Sequence, residues 1–345
     1  MIARIVGTLL LGSLAAWLAQ ALHFPLPWMT GPLLVCAIAG MAGLPLRASE
    51  LLRNVGQGLI GVALGLHFTT DVLSTMLRLA PAIGLGAAWA LLLGWVFHLA
   101  LRRRHPAEAP ATTFFAAAIG GASEMTLLAE SHGGRVDRVA AAHSLRVAIV
   151  VVGLPFLFQT LGVRGVDVTL PATGSGSTGG LPLLAGLAAA GILVASALRL
   201  ANPWLLGALA ATAAGTAFGV GLPALPGWAS AAGQLFIGVA LGARFTPDFA
   251  RSGPAWLASV ALGTLALLVG AAGLAGVLAW WLGLHPATLL LGNSPGGIAE
   301  MCITADVLRL GVPTVTAFHV VRYLTVLLCT PALFHRELRR LAARG

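Results

Sequence analysis

The chain has 345 residues, of which 9% are charged and 58% hydrophobic, and its mean hydropathy is +0.93. A soluble domain carries roughly a quarter charged residues, so this composition excludes a globular fold that lives in water. The net charge of +9 comes from arginines in short clusters between apolar segments, without a single lysine, which is the pattern of membrane loops and not of a nucleic-acid-binding face.

The first segment, about 3–22, follows Arg4 and ends near Ala19-Gln20-Ala21. It reads as a transmembrane helix, with a signal peptide as the alternative, because 181–201 is an apolar helix at the equivalent place later in the chain. Apolar segments continue at about 31–45, 50–68, 73–101, 112–130 and 136–161. After a Gly/Ser/Thr-rich stretch at 165–180 they resume at about 181–201, 204–222, 228–245, 254–283, 286–307 and 313–335. The stretch between reads as a flexible linker. Cys36, Cys302 and Cys329 stand alone in apolar sequence and read as packing residues.

The two sets of segments are copies. Gly56-Gln57-Gly58-Leu59-Ile60-Gly61-Val62-Ala63-Leu64-Gly65 returns as Gly233-Gln234-Leu235-Phe236-Ile237-Gly238-Val239-Ala240-Leu241-Gly242. Asp71 and Asp248 follow the two blocks after Phe-Thr and read as surface acids or helix caps. Pro27-Trp28 matches Pro203-Trp204, Gly120-Gly121 matches Gly296-Gly297, Glu124-Met125 matches Glu300-Met301, His143 matches His319, and Arg146 matches Arg322. Generic hydrophobicity repeats apolar blocks, but it does not repeat Gln, Asp, Glu, His and Arg in one register. The chain therefore divides into a repeat at 1–164, the linker at 165–180 and a repeat at 181–345.

The fifth segment of each repeat is interrupted, at Gly120-Gly121 and at Ser294-Pro295-Gly296-Gly297, which points to a re-entrant hairpin or broken helix. The first repeat carries positive charge at Arg4, at Arg47 and Arg53, and at Arg102-Arg103-Arg104. In the second repeat those connections are almost bare, and the charge sits at Arg199, Arg244, Arg251, Arg336, Arg339, Arg340 and Arg344, while Arg78, Arg164 and Arg309 depart from the pattern. Under the positive-inside rule, equivalent loops then face opposite sides of the bilayer. The expected fold is an all-α integral membrane protein of two inverted repeats, each with about five transmembrane helices plus a re-entrant or broken segment. A parallel six-plus-six arrangement is the alternative.

Ionisable side chains at membrane depth are costly and line a cavity or pair with one another. Glu124 and Glu300 follow the Gly-rich breaks, where helix N-termini attract anions and freed carbonyls hold cations. His143 and Arg146 share a helix face, as do His319 and Arg322. Asn293 and Ser294 replace Ala117 and Ala118 of the first repeat and make the two breaks inequivalent. These eight residues are the candidate substrate and ion ligands. The competing reading is that Arg146 and Arg322 neutralise Glu124 and Glu300 and lock hairpin to helix. Glu130, His132 and His143 form no recognised metal motif, so no metal, cofactor or catalytic residue is expected.

The doubled Pro-Trp-x-x-Gly, Gly-Gly-x-x-Glu-Met and His-x-x-Arg motifs resemble the membrane AbrB-duplication family, whose members carry the labels ammonia monooxygenase or AbrB regulator. The architecture is also similar to inverted-repeat secondary carriers. The resulting expectation is a non-enzymatic secondary transporter of a small anionic solute coupled to protons or sodium. Its partners are that solute or ion and the lipid bilayer, with no nucleic acid, and a homodimer is left open. Its place is the bacterial inner membrane, with both termini cytoplasmic. A membrane sensor of gene expression and a membrane monooxygenase are the alternatives.

Single cysteines placed in the 102–104 loop, the 174–180 linker and the 281–285 loop of a cysteine-free background test the orientation. The inverted arrangement gives cytoplasmic, periplasmic and periplasmic labelling, whereas cytoplasmic labelling of all three establishes six plus six.

Overall fold

The computed structural model describes residues 2–165, 180–251 and 253–343; residues 166–179 of the linker, with its Ser175–Ser177 run, and Arg344 lie outside them. Fifteen helices occur among the described residues, and there is no strand. The first repeat gives α1 (Ile2–Ala21), α2 (Pro27–Met41), α3 (Glu50–Gly65), α4 (Thr70–Arg104), α5 (Pro110–Ala117), α6 (Ala122–Ser131) and α7 (Val136–Thr160). The second gives α8 (Leu181–Ala197), α9 (Pro203–Ala217), α10 (Gly227–Gly242), the short α11 (Pro247–Arg251), α12 (Pro254–Leu282), α13 (Pro286–Asn293), α14 (Ile298–Val307) and α15 (Val312–Ala342). Among the described residues, α1, α4, α7, α12 and α15 are long and apolar enough to cross a membrane.

Local chemistry explains where these helices start. Pro27 and Pro203 open α2 and α9, where the missing N–H costs nothing. The residues before them, Leu26 and Asn202, both adopt left-handed backbone with φ of 51° and 55°. That conformation is unfavourable for leucine, and burial of Leu26 to 2% exposure holds it in place. Ser49 caps α3 by accepting from the Leu52 amide, and Glu50 complements the same helix end.

The chain packs as two compact units that cut across the repeats. One comprises Met1–Arg78, Leu154–Pro247 and Ala299–Thr316; the other comprises Leu79–Gly153, Asp248–Ile298 and Ala317–Gly345. In the first unit α3 packs on α9 and α10, and α2 packs on α1 and α10. The equivalent helices α3 and α10 meet at the equivalent glycines. A Cβ on Gly56 would lie 2.9 Å from Gly233 O, and one on Gly233 would lie 3.2 Å from Gly56 O. Gly56 also faces Phe236 and Ile237 while Gly233 faces Ile60, so the two helices run antiparallel. The Gly61–Leu205 and Gly238–Met29 contacts repeat the same match between copies, and a Cβ added to either glycine would lie 2.5 Å from the facing carbonyl oxygen. Leucine or even alanine there would push the backbones apart, which is why Gly-x-x-x-Gly spacing sits on these faces.

In the second unit the equivalents α4 and α12 are also antiparallel. Trp89 Nε1 donates to Gly270 O at 3.0 Å, Gly270 faces Leu93, and Gly263 faces Phe97. Trp256, 1% exposed at the start of α12, donates to Arg138 O at 3.2 Å. The Arg138 guanidinium lies 5.4 Å over the same indole and pairs with Glu108 at 2.6 Å, tying α7 to the α4–α5 connection.

Gly61→Ala and Gly238→Ala are each expected to destabilise the protein by about 1–3 kcal/mol through overpacking. Gly84→Ala, where a Cβ meets nothing within 4 Å, should be neutral or slightly stabilising. Thermal unfolding of the three variants in one detergent checks this; equal melting temperatures would remove the glycine crossings as a structural requirement.

Candidate functional site

The two interrupted segments are real breaks. In the second, Pro295 biases the residue before it away from helix, and Ser294 is extended at φ −64° and ψ 147°, so α13 stops at Asn293. In the first, Ala118 takes nearly the same conformation, φ −57° and ψ 134°, without a proline. Each segment becomes an eight-residue and a ten-residue helix. Eight residues reach only about 12 Å, less than half a bilayer core.

A helix end leaves four carbonyls without partners, and here one side-chain pair takes four in a row. His143 Nε2 lies 2.9 Å from Phe115 O. Arg146 donates to Ala116 O, Ala117 O and Ala118 O at 3.3, 3.5 and 2.9 Å. Arg146 Nη2 also lies 2.7 Å from His143 Nδ1. A guanidinium only donates, so Nδ1 is the acceptor and the proton sits on Nε2, pointing at the carbonyl. His143 is thereby held neutral in one tautomer. The side chains are buried, Arg146 to 2% and His143 to 1% exposure.

The second repeat uses the same construction. His319 Nε2 lies 2.9 Å from Leu291 O, Arg322 donates to Ser294 O and to Gly296 O (2.8 Å), and Arg322 Nη2 lies 2.9 Å from His319 Nδ1. Ser294 Oγ donates to Leu291 O at 2.8 Å and Asn293 Nδ2 to Leu289 O at 2.9 Å, while Asn293 Oδ1 faces Gly86. Asn293 and Ser294 therefore add polar closure to this break, as their absence from the first repeat suggests.

The acids sit at the opposite helix ends. Glu124 is the third residue of α6, and its carboxylate folds over Gly121 at the helix start. Negative charge there complements the helix dipole, as the arginine does at the end of α5. Tyr323, the chain's one tyrosine, donates from its hydroxyl to Glu124 Oε1 at 2.9 Å. Arg146 engages hairpin carbonyls and not Glu124, so the lock between hairpin and helix is made through backbone. Glu300, third in α14 and 8% exposed, belongs to the first unit. The second unit thus brings together Glu124, His143, Arg146, Asn293, Ser294, His319 and Arg322, with Glu300 assigned separately.

Residue-by-residue reading overlooked Tyr323, although a lone tyrosine beside Arg322 in an apolar helix was a usable signal; its counterpart is Val147. It also overlooked His67, 3.6 Å from Asp306 in the first unit. Glu130 is exposed, and His132 stacks among Phe115, Phe334 and His335. Among the described residues no group of three His, Cys, Asp or Glu side chains is placed to hold a metal.

Paired broken helices with charge-capped ends, in a helical protein rich in membrane-length apolar helices, define a membrane-type protein of duplicated architecture. The family described as transition state regulatory protein AbrB matches residues 28–336, and the chain belongs to it. It is 28% identical over 339 residues to "Uncharacterized protein YhjN" of Bacillus subtilis (strain 168), covering 91% of this chain and 88% of that one. It is 24% identical over 323 residues to "Putative regulator AbrB" of Escherichia coli (strain K12), covering 91% and 90%.

Arg146→Lys keeps the charge but offers one ammonium to carbonyls that a planar fork now serves. The buried carbonyls left unpaired should cost about 2–4 kcal/mol. Unfolding of Arg146→Lys and Arg322→Lys in ligand-free detergent measures it, and wild-type stability in both would show that the arginines do not hold the breaks.

Proposed function

We propose that the chain is a secondary transporter of a small anionic solute, built as two inverted repeats of five spans and one broken segment each, and driven by protons or sodium ions. The observation that carries this reading is the pair of broken helices, each held at its freed carbonyls by a buried arginine of its own repeat. Non-helical backbone at membrane depth is tolerated where it is buried or lines a cavity, and matched interruptions in two repeats mark a carrier's binding region. The antiparallel crossings of α3 with α10 and of α4 with α12 support inversion. A twofold axis that reverses helices standing across a bilayer must lie in the membrane plane.

In this reading Arg146 and Arg322 supply a fixed positive field that favours anions, because their fork donors are engaged on the hairpins. Glu124 and Glu300 carry the coupling cation, and Tyr323 positions the first of them. Asn293 and Ser294 make the second break richer in oxygen. The protein works without enzymatic chemistry or a cofactor, in the bacterial inner membrane with both termini cytoplasmic. The family description and the Escherichia coli protein's name favour a second reading, a membrane sensor acting through a regulatory partner. That reading requires specific capture of a partner and no solute flux.

A thermal-shift screen of purified protein against metabolite anions selects the solute, and proteoliposomes then measure its gradient-driven uptake. Glu124→Gln and Glu300→Gln should each leave a folded protein that binds the solute but no longer accumulates it. Full accumulation by both single variants and the double variant would take the carboxylates out of coupling. A carboxylate with a purely structural role would show instead as lost stability before any transport defect.

A further inference from the structure

Within the second unit, α4 and α15 share a cavity of about 360 Å³, lined by Leu92 and Trp95 of α4, Thr330 and Leu333 of α15, and Phe114 and Ala118 at the first break. The lining is apolar apart from the Trp95 indole and the Thr330 hydroxyl, which is turned to its own helix and donates to Val326 O. Leu92 is 45% exposed and gives the cavity a mouth on the outer face. A slot of this size and character takes a small apolar ligand or a length of acyl chain.

One end of the same helix pair is basic. Arg340 lies 5.6 Å over the Trp95 ring, with its side chain 44% exposed. Arg103, Arg104, Arg336 and Arg339 are exposed on the last turns of α4 and α15. Glu337 is the one carboxylate in these turns. It is buried, 3.8 Å from His98 Nε2 and 3.9 Å from Arg340 Nη1. His98 is 0% exposed and has the Thr113 backbone and Glu337 beside its ring, while Arg102 Nη1 is buried without a hydrogen-bond partner. The His98 ring stacks edge-on against Phe114 of the cavity wall at 5.1 Å. The duplication provides a comparison inside the same chain. The counterparts of Trp95, His98 and Glu337 are Ala272, Ala275 and Leu161, so the α4–α15 end carries polar groups that the equivalent α12–α7 positions lack.

We infer that an anionic phospholipid occupies this place, with one acyl chain in the cavity and its phosphate against Arg340 and Arg336. The lipid answers both features at once, an apolar slot that opens outward and an excess of arginine at its indole end. Juxtamembrane arginines attract anionic headgroups by roughly 1 kcal/mol each. The acyl chain presses on Phe114 and Ala118, the end of α5 that Arg146 caps, so the lipid props the first helix break. The inference uses the membrane setting of the chain and is independent of whether it transports anything.

The test uses delipidated full-length protein, with phosphatidylglycerol and phosphatidylcholine of the same acyl chains as probes, native mass spectrometry to count retained lipid, and thermal unfolding as the second readout. Wild type should retain one phosphatidylglycerol in preference to phosphatidylcholine and unfold at higher temperature with it. Arg340→Gln should weaken that retention about fivefold and the Arg336→Gln/Arg340→Gln pair further. Leu92→Trp, which blocks the mouth from an exposed position, should abolish retention of both lipids while leaving lipid-free unfolding unchanged. Equal retention of the two lipids, no retention, or a phosphatidylglycerol preference untouched by these variants would overturn the proposal. So would a dimer lost on Leu92→Trp, which would give the cavity to a second copy of the chain.

Discussion

A helix that stops inside an apolar surrounding has no water to satisfy the backbone groups it frees, and the rest of this structure is arranged around that constraint. Phe115, Ala116, Ala117 and Ala118 would otherwise present four bare carbonyls, and the His143–Arg146 pair meets every one. The arginine covers three carbonyls because its donors fan out in one plane, and it fixes the histidine tautomer that serves the fourth. Glu124 answers the opposite problem at the start of α6, where unpaired amides leave positive charge. The doubled motifs are thus two halves of one device. Glycine permits the break, glutamate and arginine complement its two dipole ends, and histidine extends the arginine's reach by one carbonyl.

The duplication also sets the helix packing inside each unit. Equivalent glycines meet at Gly56 and Gly233, and equivalent long helices meet along Trp89, Leu93 and Phe97 against Gly263 and Gly270. With no hydrophobic drive between helices in lipid, close backbone approach is the main source of packing energy. The compact units consequently draw helices from both repeats, because each repeat's small-residue faces find their complement in the other.

The same constraint shapes the functional reading. Arginines engaged with backbone carry positive charge to the break without being free to move, and the carboxylates of Glu124 and Glu300 stand at helix starts. The two repeats depart from symmetry at these breaks. Tyr323 stands opposite Glu124 where the other repeat has Val147, and Asn293 and Ser294 stand where it has Ala117 and Ala118.

Much of this was legible in the amino-acid order. Composition determined the apolar helical class, the register of Gln57 with Gln234 and Arg146 with Arg322 determined the duplication, and Gly120-Gly121 and Pro295-Gly296-Gly297 located the breaks, since backbone chemistry of this kind acts over neighbouring residues. Which atoms the buried charges touch was decided only in three dimensions. Arg146 and Ala116 are 30 positions apart, and Tyr323 and Glu124 are 199 apart. A carbonyl carries no residue-specific signature, so sequence offered a bound anion, or alternatively Glu124, as the partner for Arg146, whereas the fold brought the end of α5 to it. Likewise, Trp95, Phe114 and Thr330 stand without relation in the amino-acid order, and only packing sets them around one cavity with Arg340 over the Trp95 ring.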